Sequence, residues 1–113
     1  MLVQVSTDNH IRGSASLTER VEGMVTGALE RYAERITRIE VFLRDDNAQK
    51  HGANDKECSM EARLGGLKPI TVTHSAPSVE LAIEGAMEKL DRALERATAR
   101  AAKASSPPTP AAE

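Results

Sequence analysis

Apolar and polar positions along this chain follow two rhythms, one of period two and one of three to four. Val3 and Val5 alternate with Gln4 and Ser6, which predicts a short first strand. That strand runs out at Asp8-Asn9-His10, and Arg12-Gly13-Ser14 continues a polar turn region. Ser16 stands three residues ahead of Glu19, the spacing of a capping box, in which hydroxyl and carboxylate satisfy the first free amides of a helix. Leu17, Val21, Met24, Val25, Ala28, Leu29, Tyr32 and Ala33 then recur at helical spacing and predict an amphipathic helix over 17–35.

The period of two returns at Ile39, Val41 and Leu43, which alternate with Glu40, Phe42 and Arg44. The stretch 45–55, polar and carrying Gly52, reads as a loop. Cys58, Met60, Ala62 and Leu64 share one face of a third strand, and Glu57, Ser59, Glu61 and Arg63 share the other, so one side is buried and one solvated. Gly65-Gly66 signals a tight hairpin into a fourth strand over Ile70 to Ser75, with Pro69 tolerated at its start. Pro77 and Ser78 open a last helix that extends to about Ala104, with Ser78 as its candidate N-cap.

The order is β-α-β-β-β-α. It predicts a two-layer α+β fold, a four-stranded sheet with two helices packed on one face. The expected organisation is a single domain over 1–104 followed by a disordered Pro/Ala tail over 105–113, because SSPPTPAAE is too poor in apolar residues to fold.

Composition narrows the class. With 113 residues, the chain has room for one modest core. The formal net charge is -2, so binding to nucleic acid requires cations gathered locally rather than a polycationic whole. A single cysteine allows no internal disulfide and no thiolate metal site, and neither a secretion signal nor a membrane-spanning run is visible, so a cytoplasmic protein is expected.

Local gathering of cations is found on the last helix. At about 100° per residue, Val79, Ile83, Ala86, Met87, Leu90, Leu94 and Ala97 form its apolar arc. Glu80, Glu84, Glu88, Asp91 and Glu95 lie along one flank; Lys89, Arg92, Arg96, Arg100 and Lys103 lie along the other. Acid early and base late in a helix also complement its dipole, and Glu88 with Arg92 has the i,i+4 spacing of an ordinary surface pair. Such pairing would interleave the signs, however, whereas here they separate. A stripe of cations about 5 Å apart is a track for a phosphate backbone. The first helix is less sharply divided, with Arg20, Arg31 and Arg35 on one flank and Glu19, Glu22, Glu30 and Glu34 on the other. Parallel, adjacent helices would set the basic flank of one against the acidic flank of the other.

Little else points to chemistry. His10, His51 and His74 are scattered and lack metal-ligand spacing; His74 continues the alternation of Ile70 and Val72 and reads as a structural, partly buried histidine. Cys58 sits on a core face, no nucleophile motif surrounds any serine, and Gly65-Gly66 is no phosphate loop. The chain is therefore expected to be no enzyme and to need no cofactor or metal. Phe42 and Tyr32 are its only aromatics, too few for a base-stacking platform.

The element order, the Gly65-Gly66 hairpin and the stretch AIEGAMEKLDRALER, from Ala82 to Arg96, resemble the ribosome hibernation promoting factor family, whose last helix carries A-I-x-x-x-x-x-K-L-x-R-x-L-x-K. The resemblance covers residues 2 to about 103 and is to the short members, which lack a dimer-forming second domain. It implies a partner, the small ribosomal subunit, bound through rRNA near the decoding region, and translation inhibited by occupancy in a stress or hibernation response. By position, Lys89, Arg92 and Arg96 would contact rRNA, with Lys103 further along; Arg100 joins them on geometry. No membrane and no small-molecule substrate are implied, and a homodimer remains open. The chain departs from the family where two first-helix cations become Met24 and Gly27, and where an aromatic becomes Glu80. Those departures keep a second reading in play, a non-ribosomal protein-interaction or regulatory module on the same fold.

Overall fold

A computed structural model of the chain describes residues 1–8, 15–45 and 56–105, with side chains of the last helix described as far as Arg100. Its elements are β1 (Leu2–Thr7), α1 (Ala15–Ala28), a 3-10 turn (Glu30–Tyr32), β2 (Ile36–Asp45), β3 (Lys56–Leu64), β4 (Ile70–Ala76) and α2 (Val79–Ser105). The sheet order is β1-β2-β3-β4, with β1 parallel to β2 and the remaining pairs antiparallel. The expected α+β fold, four strands under two helices, is therefore the one observed. Residues 9–14 (with His10), 46–55 (with His51 and Gly52) and the tail from 106 lie outside the described residues, and with them the expected turn, most of the loop and the expected tail.

Burial explains why the central strands read so clearly. Ile39, Val41 and Leu43 of β2 stand in register with Ala62, Met60 and Cys58 of β3, and all six are essentially inaccessible. Onto this face α1 lays Val21 and Val25, Leu29 follows just past its end, and α2 lays Ala82, Ile83, Ala86, Leu90 and Leu94. Phe42 points to the solvated face, 41% exposed. The edge strands β1 and β4 alternate between half-buried and exposed positions, because the helical layer only partly covers them.

Three local expectations need correction. The first helix does not run over 17–35: it ends at Ala28 and tightens into the 3-10 turn, where Tyr32 N–H donates to Leu29 O (2.9 Å) and Ala33 N–H to Glu30 O (3.0 Å). Over a single turn, periods of 3.0 and 3.6 bury the same positions, Leu29 and Tyr32, so the apolar pattern could not separate them. Ser16 is not an N-cap, because α1 begins at Ala15 and an N-cap must lie outside helical geometry. Gly65-Gly66 is not a two-residue hairpin either: Gly65–Pro69 is a five-residue connection. It opens with a turn closed by Leu67 N–H to Leu64 O (3.3 Å), and Gly66 has φ +79°, a conformation glycine adopts without strain.

β2 also starts earlier than its alternation suggested. Ile36 and Ile39 are both buried although three apart, because a bulge lies between Ile36 and Arg38. The Thr37 hydroxyl donates to the Arg63 carbonyl there (3.0 Å). Ser78 caps α2 as expected, its Oγ accepting from Leu81 N–H at 3.1 Å. Among the described residues, no helix is long and apolar enough to cross a membrane.

Candidate nucleic-acid interface

α2 has 27 residues, about 40 Å of helix. Among the described residues the last buried position of α2 is Leu94, and the side chains described beyond it, as far as Arg100, are exposed or half-buried. Every flank of this helix beyond the core-facing arc is therefore defined by what stands opposite.

Opposite one flank stands α1. Arg20 pairs with Glu80, and Arg31 Nη2 donates to Asp91 Oδ1 at 2.9 Å. The two pairs are spaced by eleven residues on each side, the signature of helices running parallel. Arg31 also lies over the Tyr32 ring, 4.7 Å from its centroid, and its hydrogen bond to Asp91 raises its pKa further. Both pairs are solvent-exposed, so each contributes little to the stability of the fold. Their larger effect is to neutralise the seam. Glu80, which replaces an aromatic of the resembled family, has its role here as the partner of Arg20.

Opposite the other flank, among the described residues, stands only the edge of β4. Lys89 Nζ donates to the Thr73 carbonyl at 2.8 Å, which tethers it to that edge. Arg92, Arg96 and Arg100 are exposed and, among the described residues, have no hydrogen-bonding or ionic partner. They span about 12 Å along the axis. Lys103 belongs to α2, but its side chain lies outside the described residues. Four of the five stripe residues are thus placed together on one side of α2, three as free cations and one tethered. The Lys89–Thr73 contact had no signal in the sequence, since it joins residues brought together by the packing of α2 on β4.

α1 adds no cation to this stripe. Met24 is half-buried, Gly27 is bare and exposed, and the outward flank of the first helical segment carries Glu19, Glu22, Glu30 and Glu34. The side chains that could suggest catalysis are otherwise engaged. Cys58 is fully buried, and burial pushes its thiol pKa up to about 12, so it is protonated near neutrality. Glu57 pairs with Arg44 (3.3 Å) and Glu61 with Arg63 (3.7 Å), ordinary contacts of the solvated sheet face. His74 is half-buried on the helical side of β4, its ring lying over Gly85.

Comparison with solved structures shows how widely this architecture is shared. A ribosomal subunit interface protein from Coxiella burnetii superposes with TM-score 0.69 at 19% identity, covering 88% of this chain and 99% of that one. The N-terminal domain of Thermus thermophilus Protein Y superposes with TM-score 0.67 at 17% identity, covering 85% and 98%. Likeness at these identities is a likeness of fold. No curated protein sequence matches the chain. A family model does, that of the sigma-54 modulation protein / S30EA ribosomal protein, over residues 3–102. Because that match runs through the whole sheet, both helices and the free arginines of α2, the chain belongs to this family, the same ribosome hibernation family that its last helix resembles.

Proposed function

We propose that the chain is a ribosome-associated stress or hibernation factor that binds rRNA of the small subunit near the decoding region through Lys89, Arg92, Arg96, Arg100 and Lys103. The observation that carries this reading is the flank of α2 on which three arginines stand exposed and, among the described residues, without partners. Family membership supports it, as does the likeness of fold to a ribosomal subunit interface protein from Coxiella burnetii. Binding by occupancy needs no catalytic group: a rigid helix laid along a phosphate backbone blocks whatever would otherwise lie there and so inhibits translation. The action is cytoplasmic, where ribosomes are.

Cosedimentation with purified small subunits at low and moderate salt tests the proposal. Binding is expected at low salt, weakening as salt rises, and the Arg92→Glu/Arg96→Glu variant should lose it. Absence of binding at every salt concentration, or binding untouched by that double reversal, would sink the reading.

One observation favours the second reading, a protein-interaction module: Arg20 and Arg31 are bound up in the interhelical seam, leaving α1 without free cations facing α2. In that case a pull-down recovers a protein partner rather than ribosomes, and moderate salt leaves the complex intact.

A further inference from the structure

Between its two flanks, the outer surface of α2 presents Leu81, Glu84 and Glu88. Leu81 is 50% exposed, unusual for a large apolar side chain in this molecule. Glu84 and Glu88 lie one turn apart, where like charges repel. Neither has an ionic or hydrogen-bonding partner among the described residues, although Glu80 and Asp91 on the same helix both do. These two carboxylates form a ridge with a hollow on each side.

The hollow toward β4, about 500 Å³, is walled by His74, Pro77, Leu81 and Gly85. It exists because Gly85 carries no side chain and the His74 ring occupies the space a Cβ would need. The hollow toward α1, about 240 Å³, has Ala28 and Met87 as its apolar lining and ends at Asp91. It exists because α1 stops at Ala28, a small residue, before it can close over α2. Both hollows share Glu84 and Glu88 as their common wall.

Charge decides what can lie there. Lys89 and Arg92 border the ridge toward β4, but directly on the ridge a phosphate backbone or an anionic lipid surface meets two carboxylates that have no partner among the described residues, which disfavours it there. A cation flanked by apolar groups meets attraction along the ridge and apolar surface to either side. We propose that the Glu84–Glu88 ridge and its two hollows form a docking surface for a partner polypeptide segment that carries lysine or arginine between large apolar side chains. The cation lies along the carboxylates, and the apolar side chains enter the hollows. The hollow toward β4 borders the cationic flank at Lys89, which holds the Thr73 carbonyl beside His74, while the hollow toward α1 lies on the other side of the ridge; docking there does not depend on binding to rRNA.

The test is a titration of the full, 15N-labelled chain with a short synthetic peptide in which leucines bracket an arginine pair. Amide shifts are expected at Leu81, Glu84, Gly85, Met87, Glu88 and Ala28. Glu84→Gln with Glu88→Gln should weaken binding about tenfold, through the loss of two exposed ion pairs. Replacing the leucines of the peptide by serine should weaken it comparably. The double variant should melt no lower than the parent, since it removes a repulsion, so lost binding will not reflect lost folding. Shifts centred instead on Glu19, Glu22, Glu30 and Glu34 would overturn the proposal, as would equal binding by the double variant.

Discussion

On the flank facing α1, α2 sets Glu80 and Asp91 against Arg20 and Arg31; on the flank facing the β4 edge, it carries Arg92, Arg96 and Arg100, which have no ionic or hydrogen-bonding partner among the described residues. Both flanks are charged, exposed and built on the same helix. They differ in their neighbours. The first helical segment runs parallel to α2 on one side only, so Glu80 and Asp91 are neutralised within the chain, whereas Arg92, Arg96 and Arg100 remain available to a ligand. A net charge of -2 says nothing about this difference, because the field at a surface is set by the charges within a Debye length, about 8 Å in physiological salt.

The contrast is best broken at the free flank, where the largest effect is expected. Arg92→Glu with Arg96→Glu should lower affinity for small subunits by about 100-fold or more, two phosphate contacts becoming two repulsions, while thermal stability stays within about 0.5 kcal/mol. Neutralisation with glutamine should flatten the plot of log affinity against log salt by about one unit per lost phosphate contact. A steep slope retained in the glutamine variant would place the RNA contacts elsewhere.

A second effect separates the covered side of α2 from the open side of α1. Gly85→Ala forces a methyl group into the His74 ring and should destabilise the fold by about 1–2 kcal/mol, even after the gain in helix propensity. Gly27→Ala meets no atom within contact distance and should stabilise by about 0.5 kcal/mol. Urea unfolding of both variants measures the difference, and a stable Gly85→Ala protein would mean that His74 can turn away at little cost.

Lys89 sharpens the comparison from within the free flank. Because its ammonium already holds the Thr73 carbonyl, Lys89→Gln should reduce ribosome affinity less than Arg92→Gln does, by about threefold or less. Equal losses would show that the tether is released on binding. The smallest effect belongs to the seam. Arg20→Gln and Arg31→Gln should each lower stability only slightly, a loss that shrinks in 1 M salt, and leave ribosome binding unchanged. A marked loss of ribosome binding in these variants would assign the seam a direct role.

Much of this molecule is legible in the chain because strands and helices have periods that burial enforces. Cys58, Met60, Ala62 and Leu64 read as one face and are one face, since a strand under a helical layer has no other way to satisfy them. Ser78 reads as a cap and is one, because its hydroxyl acts within three residues of itself. Where two geometries bury the same residues, the pattern fails. The 3-10 turn at Glu30–Tyr32 and the bulge before Arg38 both fall where apolar residues three apart suit more than one backbone.

The candidate site divides in the same way. Helical periodicity alone gathers Lys89, Arg92, Arg96 and Arg100 on one flank of the last helix, because a repeat of 3.6 residues makes the placement a matter of counting. Their availability is a different quantity. It depended on which side α1 would occupy, and hence on the crossover that carries the chain between the parallel strands β1 and β2. Ion pairs between residues some sixty positions apart, and a lysine held by a carbonyl of another element, arise only when the layers pack. Sequence determined that the last helix has a cationic side; tertiary structure decided that this side faces water, because a charge is neutralised by what lies beside it in space.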